Sequence, residues 1–453
     1  MVTIVSAVGL LLALGLGPLE PAEWKAGVAR VDTSPTAPVR MAGYASRTKT
    51  SEGVSHPLFA KALSLEDGAG HQVVIVTCDI ISFRRPFTER VAARVKAKHG
   101  LPREDLVLFA SHTHAGPAPA DPDDSPREGF ESNVAYTKDL EDKVVAVIGE
   151  AIAKMEPANL SYGIGRAHFA LNRREPTERG IRLGKNPQGP TDESVPILRV
   201  AKGDGRPMAI VFGYACHNTT LRPDMMKIDP DFAGYAQDRV EADNPGAVAM
   251  FVTGCAGDAD PHPFGTLAMA KDHGQHLGEA VKLVLDHPKW MTALSGPLRS
   301  GFRETPLRFA GPTDRASYEK RLDDPDRGRK GHARRMVEEI DGGRLIKAEY
   351  PCYAVQAIGL GDRLTLLALS GEVVVVYATR LGRELGGEGR PLWIAAYAND
   401  VVGYIPSLRV LKEGGYEALD SFYGGTWPAP WADDVEERVV DAARQVVEKV
   451  RGR

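Results

Sequence analysis

The segment Leu106-Val107-Leu108-Phe109-Ala110-Ser111-His112-Thr113-His114-Ala115-Gly116-Pro117 predicts a buried strand that ends at two histidines. Its first five residues are uniformly apolar, which is typical of a strand that is covered on both faces. Gly116 and Pro117 predict a turn, which would allow both imidazoles to reach one cleft. An H-x-H pair is a common metal-binding arrangement, but imidazole suits several transition metals, so the pair alone does not select one.

Other apolar runs in the chain also end at polar side chains that could do chemistry. They are residues 208–216 before His217, residues 247–253 before Asp258 and Asp260, and Leu364–Leu369 before Glu372. Because loops that leave the carboxyl ends of strands in an α/β sheet converge on one crevice, we expect these side chains to lie close together.

Amphipathic patterns alternate with these strands and predict helices at 87–99, 141–155, 231–242 and 435–450. This alternation favours an α/β fold with a mixed β-sheet flanked by helices. Residues 311–344 are strongly charged with both signs interspersed, which predicts an exposed helical insertion with a solvated face rather than a site for an anionic partner. We expect a single catalytic domain over residues 23–453.

The overall charge argues against nucleic acid as a partner. The 453 residues include 56 Lys and Arg against 60 Asp and Glu, so no global field attracts a polyanion. A small, neutral or weakly charged substrate is therefore expected. The four cysteines are scattered through apolar runs, which indicates buried thiols, with a disulfide between distant members as the alternative.

The N-terminus begins with an apolar run that is too short to cross a bilayer and is followed by small residues and Pro18. This pattern predicts a signal peptide over residues 1–22 and export to the periplasm or the medium. No Lys or Arg precedes the run, so a buried N-terminal strand or helix is the alternative. No later stretch is long and apolar enough for a transmembrane segment.

Residues 111–117 resemble the T-H-T-H-S-G-P segment of the neutral, non-lysosomal ceramidases. Further similarities follow in the same order, from Asp32 and the Met41-Ala42-Gly43-Tyr44 turn to Tyr404, and they span residues 24 to 450. The resemblance implies the fold of the neutral ceramidase catalytic domain. It also implies a hydrolase that cleaves a linear amide, as in sphingolipid metabolism.

The resemblance further implies a zinc site. The positions that match the family's zinc ligands are His112, His217, Glu372 and Tyr404. His114 matches a histidine that lines the scissile bond, and Arg173 matches an arginine near the substrate. Two imidazoles and a carboxylate leave a coordination position open for water, as catalytic zinc sites require.

Two departures from the family pattern affect the expected chemistry. The family has a serine in a G-D-V-S-P segment, whereas this chain has Asp260 in Gly257-Asp258-Ala259-Asp260-Pro261. We therefore expect zinc-activated water to attack directly, with Asp260 or Asp258 taking its proton and with His114 and Arg173 stabilising the oxyanion. The family's C-terminal immunoglobulin-like domain is also expected to be absent, so ceramide itself does not follow as the substrate.

Several functions remain open at this point. The leading one is hydrolysis of an N-acyl compound, such as a lipid or another acylated small molecule. The alternatives are a zinc esterase or carbohydrate deacylase, and a catalytically silent protein that binds zinc or a ligand. His262 is a further candidate at the site, and Asp79, directly after the strand Gln72–Cys78, could orient a ligand imidazole.

Overall fold

The computed structural model describes residues 24–122, 128–387, 389–424 and 427–452, so the predicted signal peptide lies outside the described residues. The strands are β1 Trp24–Asp32, β2 Phe59–Asp67, β3 Gln72–Cys78, β4 Leu106–Ala110, β5 Glu156–Arg166, β6 Ala170–Asn172, β7 Arg174–Thr177, β8 Gly180–Leu183, β9 Ser194–Lys202, β10 Pro207–Tyr214, β11 Val248–Thr253, β12 Ala259–Pro261, β13 Thr292–Leu294, β14 Leu298–Arg308, β15 Glu349–Leu360, β16 Leu364–Leu369, β17 Glu372–Val373, β18 Leu392–Ala395 and β19 Tyr404–Ile405. The helices are α1 Arg85–His99, α2 Glu131–Ala153, α3 Asp231–Asp243, α4 Leu267–Leu285, α5 Arg315–Glu319, α6 Arg327–Asp341, α7 Val376–Leu385, α8 Leu408–Glu413, α9 Ser421–Gly424 and α10 Val435–Val450.

The larger sheet has the strand order β11-β10-β9-β5-β1-β2-β3-β4, with β13 beside β5. Its neighbours are antiparallel except for β10 with β11 and β3 with β4, so the sheet is mixed. Side chains alternate between its faces. In β3, Val74 and Val76 pack under α1 and α2, whereas Val73 and Ile75 face the opposite way. The predicted mixed sheet flanked by helices is confirmed.

A second sheet, which the sequence pattern did not separate from the first, has the order β14-β15-β16-β18. It packs face to face on the larger sheet, where Phe109 and Ile75 share one core with Leu366, Ile358 and Trp393. Helices α1 to α4 cover the outer face of the larger sheet, and α7 and α10 cover the outer face of the smaller one. The result is four layers in the order α/β/β/α. A strand buried on both faces is apolar throughout, so its sequence does not indicate which sheet it joins.

Two predicted elements differ from the structure. Helix α2 begins at Glu131, ten residues before its predicted start, because polar residues of its first turns find partners elsewhere in the fold. The Asn133 side chain, for example, accepts from the backbone N–H of Arg40 at 2.9 Å and donates to the carbonyl of Ala118 at 2.8 Å. The charged segment 311–344 contains α5 and α6, but Tyr318 and His332 beneath them are buried. This segment therefore covers part of the core as well as facing solvent.

Two short ladders lie beyond the strand ends and bring distant residues together. The antiparallel pair β6 and β12 places Leu171 opposite Asp260, so that Arg173 follows beside this carboxylate. The parallel pair β17 and β19 places Glu372 opposite Tyr404. Each ladder is fixed by backbone hydrogen bonds, so these side chains are held in register by the main chain.

Gly371, which precedes β17, generates a stability prediction. Its φ of +83° is a conformation that costs other residues about 1 kcal/mol, and an added Cβ would lie only 2.7 Å from Ile405 Cγ1. We expect Gly371→Ala to lower the free energy of unfolding by about 3 kcal/mol, from backbone strain and overpacking together. Gly70→Ala is the matched control, because Gly70 has a φ of +84° with nothing within 4 Å of its Cβ position. Urea denaturation measures the free energy of unfolding of both variants. An equal decrease in the two would show that β17 and Ile405 can shift to accommodate the added Cβ at little cost.

Candidate metal centre

His112, His217 and Glu372 converge on one point at the ends of their strands. Glu372 Oε2 lies 3.2 Å from Nε2 of His112 and 3.1 Å from Nε2 of His217. The two histidines are almost completely buried, with 2% and 0% of their surface exposed. The structure thus brings together three of the four residues that match the family's zinc ligands.

Backbone carbonyls orient the two imidazoles. Nδ1 of His112 donates to the carbonyl of Ile81 at 2.7 Å, and Nδ1 of His217 donates to the carbonyl of Ala256 at 2.6 Å. A carbonyl oxygen can only accept, so each ring carries a hydrogen on Nδ1, and in its neutral form it presents a lone pair at Nε2. These contacts fix both the tautomer and the direction of each ring.

The expectation that Asp79 orients a ligand imidazole is wrong. Its carboxylate accepts from the backbone N–H of Phe59 at 3.0 Å and from the Gln237 side chain at 3.3 Å. Asp79 follows a neighbouring strand, but its side chain points to β2 and α3 and not to the histidines. Strand-end position alone did not reveal that direction.

The three converging atoms are all hydrogen-bond acceptors. With Nδ1 protonated, Nε2 of His112 and of His217 each direct a lone pair toward a carboxylate oxygen of Glu372. Three lone pairs about 3 Å apart repel each other unless a cation lies between them. The arrangement therefore fits a metal ion, which accepts all three lone pairs at once.

The distances between these atoms also fit a metal. In a tetrahedral zinc site with bonds of about 2.0–2.2 Å, two ligand atoms are about 3.3 Å apart. The observed separations of 3.1 and 3.2 Å between Glu372 and the imidazoles are close to that value. Tyr404 Oη lies 3.5 Å from Nε2 of His217 and can complete the set.

His114 lies beside the acceptor triangle, which is formed by Nε2 of His112, Nε2 of His217 and Oε2 of Glu372. Its Nε2 is 3.2 Å from Nε2 of His112, and the three histidines form a cluster whose ligand atoms all lie within 4.8 Å of one another. Its ring packs on Gly43, where a Cβ would come within 2.4 Å of the imidazole, so this glycine makes room for the ring. His114 also lines the adjacent cavity, as a residue near the scissile bond should.

Burial and neighbouring charges set the ionisation of the centre. Burial lowers the pKa of His217, with the Arg173 cation as the next cause, and it lowers the pKa of His114 well below its usual value, so both imidazoles are neutral near pH 7. Burial opposes ionisation of Glu372, but positive charge at the adjacent imidazoles, first of all at His112, outweighs burial and holds the pKa of that carboxyl well below its usual range. A metal ion bound to the same nitrogens supplies that positive charge while the imidazoles themselves are neutral. Neutral imidazoles and an ionised carboxylate are the forms that bind metal ions.

Arg173 connects the centre to Asp260. Its guanidinium donates to Asp260 Oδ1 at 3.0 Å, to Tyr404 Oη at 2.9 Å and to Glu417 Oε1 at 2.9 Å. Burial raises the pKa of Asp260, but the Arg173 cation that binds it outweighs burial, so the net pKa is lowered and Asp260 is ionised. Asp260 therefore faces the cavity as a carboxylate, held in place by a cation.

Asp258 lies elsewhere. It is completely buried, accepts from the backbone N–H of Val375 at 2.8 Å and from the Asn172 side chain at 3.2 Å, and does not line the cavity. Burial raises its pKa to about 6. Of the two candidate bases in the sequence, the structure places only Asp260 in the cavity.

A cavity of about 500 Å³ opens beside the centre. His114, Arg173, Asp260 and Tyr404 line its inner end, and His262 lies toward the outside. Most of the remaining wall surface is apolar and comes from aromatic rings together with Leu171, Leu183 and Pro261, and basic side chains lie among them. The cavity therefore offers both an apolar surface for an acyl group and polar groups beside it.

Glu417 is a functional candidate that the sequence pattern did not reveal. It is completely buried, and it accepts from Arg173 and from Arg174 Nη1, the latter at 2.7 Å. It lies in a short π-helical turn, Tyr416–Asp420, that follows Gly414 and Gly415. Two glycines before a Tyr-Glu pair are too common to indicate a site, so only the fold identifies this carboxylate as the counter-charge that holds Arg173.

The four cysteines are free thiols, and Cys78, Cys216 and Cys255 are buried, as the apolar context predicted. In the part of the chain that the structure describes, no helix is long and apolar enough to cross a membrane.

Comparisons with known proteins agree with this geometry. The family model for the N-terminal part of the neutral/alkaline non-lysosomal ceramidases matches residues 24–299, more than half of the chain. Neutral ceramidase B of Dictyostelium discoideum is 25% identical over 255 residues, which are 51% of this chain and 34% of that protein. The neutral ceramidase of Drosophila pseudoobscura pseudoobscura is 23% identical over 291 residues, which are 58% of this chain and 39% of that protein.

A solved structure supports the fold. The crystal structure of the neutral ceramidase from Pseudomonas aeruginosa superimposes with a TM-score of 0.72 at 20% identity, covering 96% of this chain and 75% of that chain. The matched part of the chain spans less than two fifths of the length of the two curated relatives. The family model and the shared fold together show that this chain belongs to the neutral/alkaline non-lysosomal ceramidase family.

Proposed function

We propose that this protein is a zinc-dependent hydrolase that cleaves a linear N-acyl amide. The observation that carries the proposal is the convergence of Nε2 of His112 and Nε2 of His217 on Oε2 of Glu372, with Nδ1 of each ring already bonded to a backbone carbonyl. Two nitrogen ligands, one carboxylate and a nearby phenol at tetrahedral spacing suit zinc better than the hard, octahedral cations. Zinc held there supplies Lewis acidity, which lowers the pKa of water and polarises an amide carbonyl.

Asp260 is the proposed general base. It is ionised, it lines the cavity, and Arg173 fixes one of its oxygens while the other remains available to a water molecule. A carboxylate at the family's serine position cannot supply a hydroxyl nucleophile, but it can take a proton from water. Thr219 Oγ1 lies 3.3 Å from the same Oδ1, which further restricts how the side chain can turn.

Arg173 and His114 are proposed to stabilise the negative charge that develops on the amide oxygen. Both line the inner end of the cavity, and Glu417 and Asp260 hold the Arg173 guanidinium from two sides. Hydrogen-bond donors that are already held in place need little rearrangement when negative charge develops on the amide oxygen.

The substrate is proposed to be an acylated small molecule with one linear amide. Neutral ceramidases are the relatives by name, and lipid-like N-acyl compounds are therefore the first to test. The same water chemistry would cleave an ester or an acylated sugar, and a silent relative would cleave nothing. We also propose that the chain is exported through residues 1–22 and that residues 23–453 form one catalytic domain.

The first functional prediction concerns zinc. We expect about one zinc per chain in the purified protein, and His112→Ala, His217→Ala or Glu372→Ala should each remove it, because the loss of one of a few ligands forfeits most of the coordination energy. His262→Ala is the matched control and should retain the metal, since His262 lies toward the outside of the cavity, where its ring contacts Lys185 and Phe264. Elemental analysis after dialysis measures this, and full zinc content in the three ligand variants would refute the site.

The second functional prediction separates the two aspartates. Asp260→Asn should keep fold and zinc but lower kcat by about 10²-fold or more, the usual effect of losing a general base. Asp258→Asn should leave kcat within about threefold of the wild type and mainly lower stability, because its carboxylate binds Val375 and Asn172 and not the cavity. Steady-state kinetics on an N-acyl amide at matched zinc content measure both effects. A larger decrease in kcat in Asp258→Asn than in Asp260→Asn would identify Asp258 as the general base.

A further inference from the structure

Two cations in the cavity wall form no salt bridge within the described part of the chain. Lys185 and Arg222 both line the cavity, and neither forms a salt bridge with any carboxylate of the described residues. The one polar side-chain contact of Lys185 in this part of the chain is with Nε2 of His262, at 3.4 Å. The cavity's carboxylate, Asp260, is already bound to Arg173. These two positive charges are therefore available to a ligand.

The Arg222 guanidinium is held by ring contacts. Its Cζ lies 4.7 Å from the centre of the Phe264 ring and 5.5 Å from that of Tyr44. Contact with aromatic faces restrains the guanidinium plane but leaves its N–H groups free at the edge. A restrained guanidinium with free N–H groups is suited to bidentate binding of a carboxylate or phosphate.

The local charge is opposite in sign to that of the whole protein. The cavity is lined by the cations Arg173, Arg222 and Lys185 and by one carboxylate, Asp260, whereas the chain carries a formal net charge of −4. Arg173 is neutralised by its two acidic partners, so the excess positive charge belongs to Arg222 and Lys185. A cleft of one sign concentrates ligands of the other, and a neutral amide would gain nothing from it.

We propose that Arg222 and Lys185 form an anion subsite, and that the preferred substrates are N-acyl compounds whose amine portion carries a carboxylate or phosphate. This inference rests on the proposed amide hydrolysis and names its substrate class. The overall charge led us to expect a neutral or weakly charged substrate. The charge of the cavity wall, where the substrate binds, instead favours an anionic one.

Three amides with the same acyl chain test the subsite: N-octanoylglycine, N-octanoylethanolamine phosphate and neutral N-octanoylethanolamine. With the zinc-loaded protein we expect kcat/KM for at least one anionic amide to exceed that for the neutral amide by about tenfold or more. The first two compounds distinguish a carboxylate from a phosphate. The preference should shrink as salt is raised, because exposed charges are screened.

The variants assign that preference to the two side chains. Arg222→Ala and Lys185→Ala should each raise KM for the anionic amide by about tenfold and bring the anionic-to-neutral ratio toward one, whereas Arg222→Lys should restore part of it. Arg179→Ala is the matched control, since Arg179 is exposed in the turn between β7 and β8 and does not line the cavity. An equal or reversed ratio in the wild type, or a ratio unchanged in both alanine variants, would overturn the subsite while amide hydrolysis stands.

Failure of the proposed hydrolysis is distinguishable from failure of the subsite. If the zinc-loaded wild type cleaves none of the amides, calorimetric titration with N-octanoylglycine tests the subsite without turnover. Binding that is weakened about tenfold in Arg222→Ala but retained in Arg179→Ala supports it, and equal or absent binding in all of these proteins overturns it.

Discussion

Three hydrogen-bond acceptors meet at the centre of this protein, and most of the functional architecture serves to hold them there. Nε2 of His112 and Nε2 of His217 lie 3.2 and 3.1 Å from Oε2 of Glu372, and the Nδ1 hydrogen of each ring is donated to a backbone carbonyl. Such a cluster is unfavourable by itself, because lone pairs repel and buried polar atoms without donors are costly. A bound cation converts the same cluster into a stable site. The scaffold must therefore supply enough stability to keep the acceptors close before the metal binds.

The four layers of the fold supply that stability from two directions. His112 and His217 follow strands of the larger sheet, whereas Glu372 follows β16 of the smaller one, so the centre exists only when the two sheets are packed together. The backbone at His112 has a φ of +63°, a strained conformation for a residue other than glycine, and the N–H of His112 is fixed by the carbonyl of Ile80 at 2.9 Å. A strained backbone conformation at a ligand residue persists when the packing around that residue allows no other conformation. The large shared core between the sheets provides that constraint.

The sequence predicted the mixed sheet flanked by helices and the neighbours at its strand ends, but not the second sheet. Apolar runs that end at polar residues identified His112, His217 and Glu372 as neighbours, because such runs become strands whose ends converge. The second sheet was not predicted from the same apolar runs, because a strand buried on both faces is uniformly apolar and does not indicate which strands it pairs with. The start of α2 was missed because Asn133 is satisfied by backbone groups of Arg40 and Ala118, which are distant in sequence. Glu417 was missed for a similar reason, as its role arises only from contact with Arg173 and Arg174.

Arg173 links the metal centre to the cavity. It donates to Tyr404 on one side and to Asp260 on the other, so the negative charge of Asp260 is balanced within the site. All of this depends on a cation within the acceptor triangle. Crystals soaked in zinc, with anomalous diffraction recorded on both sides of the zinc absorption edge, test that claim most directly. The account predicts one strong peak about 2.0–2.2 Å from Nε2 of His112, Nε2 of His217 and a carboxylate oxygen of Glu372. Absence of a peak there, or a peak only at other residues, would contradict it.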